Sequence, residues 1–192
     1  MSAKFLVNYP LGPKIASGGE GTIWRCHRTQ TGAVFVVKKN HFRKKTLAQE
    51  GKFLIELRTH DKNSRIIQPV AFYSKALVLG YCNGINLKAL RVNNDRPSKA
   101  YIRCCLKQLG EDFAFIHTRW STNVPPEHWK ATVHCDIKPD NILLHGASPD
   151  LKFADFGLAH EADSSGDTHT RGTYEFQPPE APSCSAASEY GH

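Results

Sequence analysis

The chain has 192 residues, 40% hydrophobic and 22% charged, with 25 Lys and Arg against 18 Asp and Glu for a formal charge of +7. This is the composition of a folded soluble protein of about one domain, and no run approaches the roughly 18 apolar residues that a membrane-spanning helix needs. Eight of the basic residues fall between Lys38 and Lys62 with three acids among them, which reads as a solvated helix and its flanks; neither finger spacing nor aromatic interleaving points to a specific nucleic acid.

The first strand-like runs are Leu11 to Ile15, Thr22 to His27 and Ala33 to Lys38, separated by glycine-rich or turn-prone residues; they predict an antiparallel opening. Leu47, Phe53, Leu54 and Leu57 then recur at helical spacing between Leu47 and Arg58, giving a face that can pack on the sheet, with Glu50 nearby. Ile66 to Phe72 and Ala76 to Cys82 read as two more strands. The second is nearly continuous in apolar character, as an interior strand should be, and Asn83-Gly84 ends it. Beyond a polar stretch from Asn93 to Pro97, Ile102, Leu106, Leu109, Phe113 and Ile116 predict a long amphipathic core helix over Tyr101 to His117. Thr118 to Lys130, with Pro125-Pro126, reads as a long loop. Short segments built on Val133, Ile142 to Leu144 and Leu151 to Phe153 follow. Glu161 to His169 is polar and glycine-containing, the composition of a mobile segment, and Ala181 to His192 has no periodicity.

Cys26, Cys82, Cys104, Cys105, Cys135 and Cys184 form no C-x-x-C pair and no regular framework, which predicts a reducing compartment. With no apolar signal segment at the amino terminus, the expected location is cytoplasmic or nuclear.

Several residues can carry chemistry. Ala16-Ser17-Gly18-Gly19-Glu20-Gly21-Thr22-Ile23 joins two strands, and its glycines would let backbone N–H groups approach phosphate oxygens, although a plain hairpin turn would look the same. Lys38 ends an apolar run, and a carboxylate such as Glu50 could hold its side chain toward phosphates. In His134-Cys135-Asp136-Ile137-Lys138-Pro139-Asp140-Asn141, Asp136 can take or orient a hydroxyl proton and Lys138 can neutralise a transferring phosphoryl group. Asn141 offers a neutral oxygen to a metal, and Asp155 in Asp155-Phe156-Gly157 offers a harder one. Each could be structural alone; their joint order makes coincidence improbable. His134 reads as a scaffold that holds the loop.

In this order the residues resemble the eukaryotic protein kinases, serine/threonine branch: H-x-D-x-K-P-x-N at His134 to Asn141 and D-F-G at Asp155 to Gly157. The resemblance spans Leu11 to Glu180. It implies an α+β, two-lobed fold: an antiparallel five-stranded amino-terminal lobe with one helix and hinge (residues 11–82), and a mainly helical carboxy-terminal lobe (83–192). The helices that follow A-P-E in the family are not in this sequence, so the resemblance implies a partial domain over 11–192. It further implies ATP and Mg2+ as cofactors and a protein Ser/Thr hydroxyl as acceptor. Ala16, Gly18, Gly21 and Ile23 would form the glycine-rich loop. Val36 and Lys38 belong to the V-A-I-K strand, and Glu50 matches the helix glutamate, with Glu56 as runner-up. Leu79 corresponds to the gatekeeper, while the backbone of Gly80 and Cys82 would meet the purine. Asp136 and Lys138 would be catalytic, Asn141 and Asp155 metal ligands, and Thr173 the threonine that contacts Asp136 and Lys138.

The pattern is not followed everywhere. Ala16 stands for the first glycine of the loop, which should stiffen the turn modestly. Cys135 stands for the arginine of H-R-D, and a thiol cannot pair with a phosphate, so modification of Ser164, Ser165, Thr168 or Thr170 is not expected to be required for activity. An incomplete lobe would leave apolar residues of the Tyr101 helix exposed. Two other readings stay open: a catalytically silent fragment that keeps the nucleotide cleft, and a small-molecule kinase, which Lys138, the D-F-G motif and Gly172-Thr173 disfavour.

Overall fold

Strand β1 (Leu11–Ser17) opens a five-stranded antiparallel sheet completed by β2 (Gly21–His27), β3 (Val34–Asn40), β4 (Pro69–Tyr73) and β5 (Ala76–Gly80), in the order β1-β2-β3-β5-β4. The computed structural model describes residues 7–18, 21–40, 45–61, 64–73, 75–92, 97–118, 131–146, 150–162 and 172–177. Most of the loop expected after Thr118, the stretch from 163 to 171, the A-P-E-like residues Pro178 to Glu180 and the tail lie outside the described residues. So do Ser164, Ser165, Thr168, Thr170 and Cys184.

The interior position expected for β5 is found: it lies between β3 and β4, and four of its five residues are buried. The strand expected over Ile66 to Phe72 is shorter. Ile66 and Ile67 are buried, but they pair across to the second lobe instead of within this sheet. Helix α1 (Lys45–His60) crosses behind the sheet and buries Leu47, Phe53, Leu54 and Leu57, the stripe read from the sequence.

The second lobe begins with a short helix, α2 (Leu87–Val92), which the sequence reading did not anticipate. Helix α3 (Lys99–Thr118) follows, then the pairs β6 (Thr132–Val133) with β9 (His160–Glu161) and β7 (Ile142–His145) with β8 (Asp150–Phe153). The core role expected along all of α3 holds only toward its carboxy-terminal end. Phe115 and Ile116 are buried, whereas Ile102 and Leu106 are 44% and 63% exposed, because among the described residues nothing packs over that part of the stripe. The exposure of apolar residues anticipated for this helix is therefore present.

One hydrophobic core runs through both lobes, from Leu54 and Leu57 through Ile66, Leu77 and Leu79 to Phe115, Leu151, Phe153 and Phe156. Backbone hydrogen bonds cross the junction with it. Ile67 N–H donates to the Phe153 carbonyl at 2.8 Å and Phe153 N–H to the Arg65 carbonyl at 2.9 Å, while within the second lobe Leu144 N–H donates to the Ile85 carbonyl at 2.9 Å.

A buried ionic group lies beside these bonds. Asp61, just past α1, accepts from the Arg65 and Ile66 backbone N–H groups at 2.8 and 3.0 Å and so shapes the loop into β4. Arg65 is 3% exposed; its Nε is 3.3 Å from Asp112 Oδ1 on α3, and its guanidinium lies 5.3 Å from the centre of the Phe115 ring. Asp112 is 1% exposed, and burial pushes its carboxyl up to about 7 even though Arg65 pulls it down.

Candidate active site

Two lysines and three carboxylates converge where the lobes face each other. Lys38, on β3 across from Ile23 and Leu77, has Nζ 2.8 Å from Glu50 Oε2 and 2.6 Å from Asp155 Oδ1. Glu50 is 1% exposed on the sheet-facing side of α1, whereas Glu56 is exposed on the outer side, so of the two candidates Glu50 meets the lysine. Burial alone would lower the Lys38 ammonium, but the charges of Glu50 and Asp155 and their hydrogen bonds outweigh it, and the ammonium is held above its ordinary range.

Asp155 has left-handed backbone, φ 63°, and its carboxylate accepts weakly from Gly157 N–H at 3.4 Å. Strain of this kind costs of order 1 kcal/mol or more and persists only where packing enforces it. Here the enforcing element is Phe156, fully buried beside α1, with its ring centroid 4.5 Å from that of His134. Gln49 Nε2 on α1 donates to the Ala159 carbonyl at 2.8 Å, tying the helix to the same segment.

His134 is 2% exposed. Its Nδ1 accepts from the Asp136 backbone N–H at 3.3 Å, so Nε2 carries the proton and donates to the Ala154 carbonyl at 3.0 Å. Burial lowers its pKa, keeping the ring neutral in that tautomer. This is the scaffold role read from the sequence.

Asp136 is the centre of the second cluster. Its Oδ1 accepts from Thr173 N–H at 2.9 Å and from Thr173 Oγ1 at 2.8 Å, while Lys138 Nζ lies 2.7 Å from its Oδ2. Lys138 also donates to Thr173 Oγ1 at 2.7 Å, and Asn141 Nδ2 donates to the Asp136 carbonyl and Oδ2, each at 2.9 Å. Burial would raise the Asp136 carboxyl, but the Lys138 and Thr173 hydrogen bonds prevail and hold it below the usual carboxylate range. Thr173 reaches Asp136 because Gly172 adopts φ +94°, and any Cβ there would collide with the Cys135 carbonyl oxygen.

The residues read as the nucleotide wall lie along the first sheet. Ala16 pairs with Ile23, and Val36 with Leu79. Leu79 is buried, Ile23, Val36, Gly80 and Cys82 are half-buried, and Ala16 and Gly18 are exposed. Gly18 N–H donates to the Gly21 carbonyl at 2.9 Å, closing the hairpin. Gly21 has a reason for being glycine that the sequence did not reveal: a Cβ there would strike the Lys39 carbonyl on β3. The Gly80 N–H is taken by the Gln68 carbonyl at 2.8 Å. Burial pushes the Cys82 thiol up to about 11, so that sulfur is neutral lining.

Leu143 was not singled out from the sequence. It is half-buried and packs against the same core as Val36 and Cys82, between buried Ile142 and Leu144. Strand alternation through Ile142-Leu143-Leu144 was the available signal.

The donor chemistry fits a hard divalent cation. Asp155 is 34% exposed at its side chain, and Asn141 uses Nδ2 on Asp136 and keeps Oδ1 as a neutral oxygen. Among the described residues no group of three or more His, Cys, Asp or Glu forms a closed metal cage. A cation held here would complete its shell with water and substrate oxygens, as Mg2+ does.

Comparison with known proteins agrees with this geometry. The chain is 28% identical over 187 residues to Aurora kinase A-A of Xenopus laevis, covering 91% of this chain and 42% of that protein. It is 29% identical over 180 residues to calcium/calmodulin-dependent protein kinase type II of Caenorhabditis elegans, covering 85% of this chain and 22% of that one. The chain thus spans less than half the length of these relatives. The solved kinase domain of PF14_0431 superposes with a TM-score of 0.75 at 17% identity, over 91% of this chain and 57% of that structure, which shows the fold. The protein kinase domain model matches residues 9–191, and the chain belongs to the protein kinase family.

Proposed function

We propose that the chain transfers the γ-phosphoryl group of ATP to a serine or threonine hydroxyl of a protein, in a cleft between residues 11–82 and 83–192. The carrying observation is the joint presence of two pre-formed clusters: Asp136 with Lys138, Asn141 and Thr173, and Lys38 with Glu50 and Asp155.

Asp136 orients the acceptor hydroxyl and takes its proton, and its low pKa keeps it ionised at neutral pH. Lys138 sits where charge gathers on the moving phosphoryl oxygens. Lys38, fixed by Glu50, meets the non-transferred phosphates, and the glycines at 18 and 21 let the hairpin backbone come close to them. Val36, Ile23, Leu79 and Leu143 sandwich the base, with the Gly80 and Cys82 backbone at its polar edge. Asn141 and Asp155 would hold Mg2+, which when bound would neutralise charge across the phosphates. The Lys138–Thr173 contact is the form that the family resemblance assigns to hydroxyl acceptors of the serine/threonine class. Among the described residues no helix is long and apolar enough to cross a membrane.

The test is phosphate transfer to a generic basic protein by the purified chain with Mg-ATP, beside Asp136→Asn, with thermal melts in both states. Transfer that falls about 10³-fold in Asp136→Asn supports the proposal. A melt raised by Mg-ATP with no transfer by the unaltered chain would instead assign the cleft to a silent nucleotide-binding module.

A further inference from the structure

The catalytic loop and the strand leaving D-F-G meet at a second polar contact that the phosphoryl-transfer arrangement does not use. Cys135 Sγ lies 3.3 Å from Nδ1 of His160. The β6–β9 pairing, with Val133 opposite His160 and Thr132 opposite Glu161, fixes the imidazole at that place, where it is only 7% exposed. Cys135 is half-buried, and its left-handed backbone, φ 65°, sets the direction in which its side chain leaves the loop. The other described cysteines differ. Burial pushes the thiols of Cys26 and Cys82 up to about 11, burial likewise raises Cys105, and Cys104 is exposed on α3. Among the described residues, Cys135 is the cysteine with an imidazole nitrogen within hydrogen-bond reach of its sulfur.

A thiol beside a nitrogen base in a confined but reachable position is the arrangement that makes a sulfur nucleophile. We infer that Cys135 is a nucleophilic thiol with His160 as its base, and that its substrate is a small hydroperoxide. His160 takes the thiol proton, and the sulfur attacks one peroxide oxygen. The S–O bond forms as the O–O bond breaks, and the departing hydroxide (from hydrogen peroxide) or alkoxide (from an organic hydroperoxide) takes the proton back from the imidazolium and leaves as water or alcohol. The sulfur is oxidised by two electrons to a sulfenic acid and the peroxide is reduced by two. A thiol restores the cysteine through a mixed disulfide. With Cys135 half-buried and His160 only 7% exposed, a small peroxide reaches the sulfur more readily than a bulky disulfide. On the kinase reading proposed above, the added oxygen sits one residue from Asp136, on the residue whose carbonyl abuts Gly172, so oxidation also slows transfer. That consequence rests on the kinase reading; the oxidation itself does not.

The test exposes the purified chain to limiting hydrogen peroxide with a sulfenic-acid-trapping cyclic dione and maps each cysteine by mass spectrometry, so the readout is independent of ATP turnover. Cys135 is expected to be trapped about tenfold or more faster than exposed Cys104 in the same molecule. In His160→Gln its rate should fall to that of Cys104. Equal rates for Cys135 and Cys104 in the unaltered chain overturn the inference without recourse to any variant. So does a Cys135 rate that His160→Gln leaves unchanged. In parallel, transfer measured before oxidation reports separately on the kinase reading.

Discussion

Replacing Asp112 by asparagine should change how stability depends on pH, by an amount the structure sets. Asp112 is 1% exposed between the lobes and its carboxyl is pushed from 3.8 to about 7, chiefly by burial and against the attraction of Arg65. Between those two values the folded chain holds a proton on Asp112 that the unfolded chain has already released. Unfolding therefore becomes easier as pH rises through that window; the stabilising influence is complete below about pH 4 and gone above about pH 7. A displacement of about 3 pK units at 1.36 kcal/mol each corresponds to about 4 kcal/mol. Asp112→Asn cannot titrate, so the stability of the variant relative to the unaltered chain should rise by up to about 4 kcal/mol from pH 4 to pH 7.5. The constant part of the difference is no test, since asparagine also alters what Arg65 meets. Urea unfolding at fixed ionic strength, at half-unit steps of pH, measures the changing part. A difference between the two chains that stays flat over this range would refute the reasoning.

Three further substitutions test particular positions. Gly172→Ala places a methyl against the Cys135 carbonyl at φ +94°, so Thr173 should be displaced from Asp136 and transfer should fall by about 10²-fold or more, read by steady-state phosphate incorporation. Leu106→Gln, on the exposed part of α3, should change unfolding free energy by no more than about 0.5 kcal/mol, whereas Phe115→Ala, fully buried on the same helix, should cost about 3 to 5 kcal/mol in denaturant melts.

The elements that the sequence disclosed are those whose signal is local. The apolar stripe of α1 and the strand runs around Lys38 and Leu79 needed only period and turn residues, and they form the expected five-stranded sheet with one helix. Helix α2 has six residues, too few for a periodic stripe to stand out. Along α3 the period correctly located a face but could not say what covers it, which is why Ile102 and Leu106 were expected in the core and are exposed. The polar cluster around Asp136 was legible because most of its members lie within one short loop. The choice of Glu50 over Glu56 required the family resemblance, since both lie on one helix and only three-dimensional packing separates them. The Arg65–Asp112 contact and the Cys135–His160 contact join distant segments with no motif to announce them.

The backbone bonds from Arg65 and Ile67 to Phe153 have a mechanical consequence. They sew residues 11–82 to residues 83–192 along one seam, beside the buried Arg65–Asp112 contact. A body sewn along its back cannot part by simple translation without losing these bonds together with the core around Phe153. Any relative movement of the two parts that keeps these bonds is a rotation about the seam, with displacement growing with distance from it.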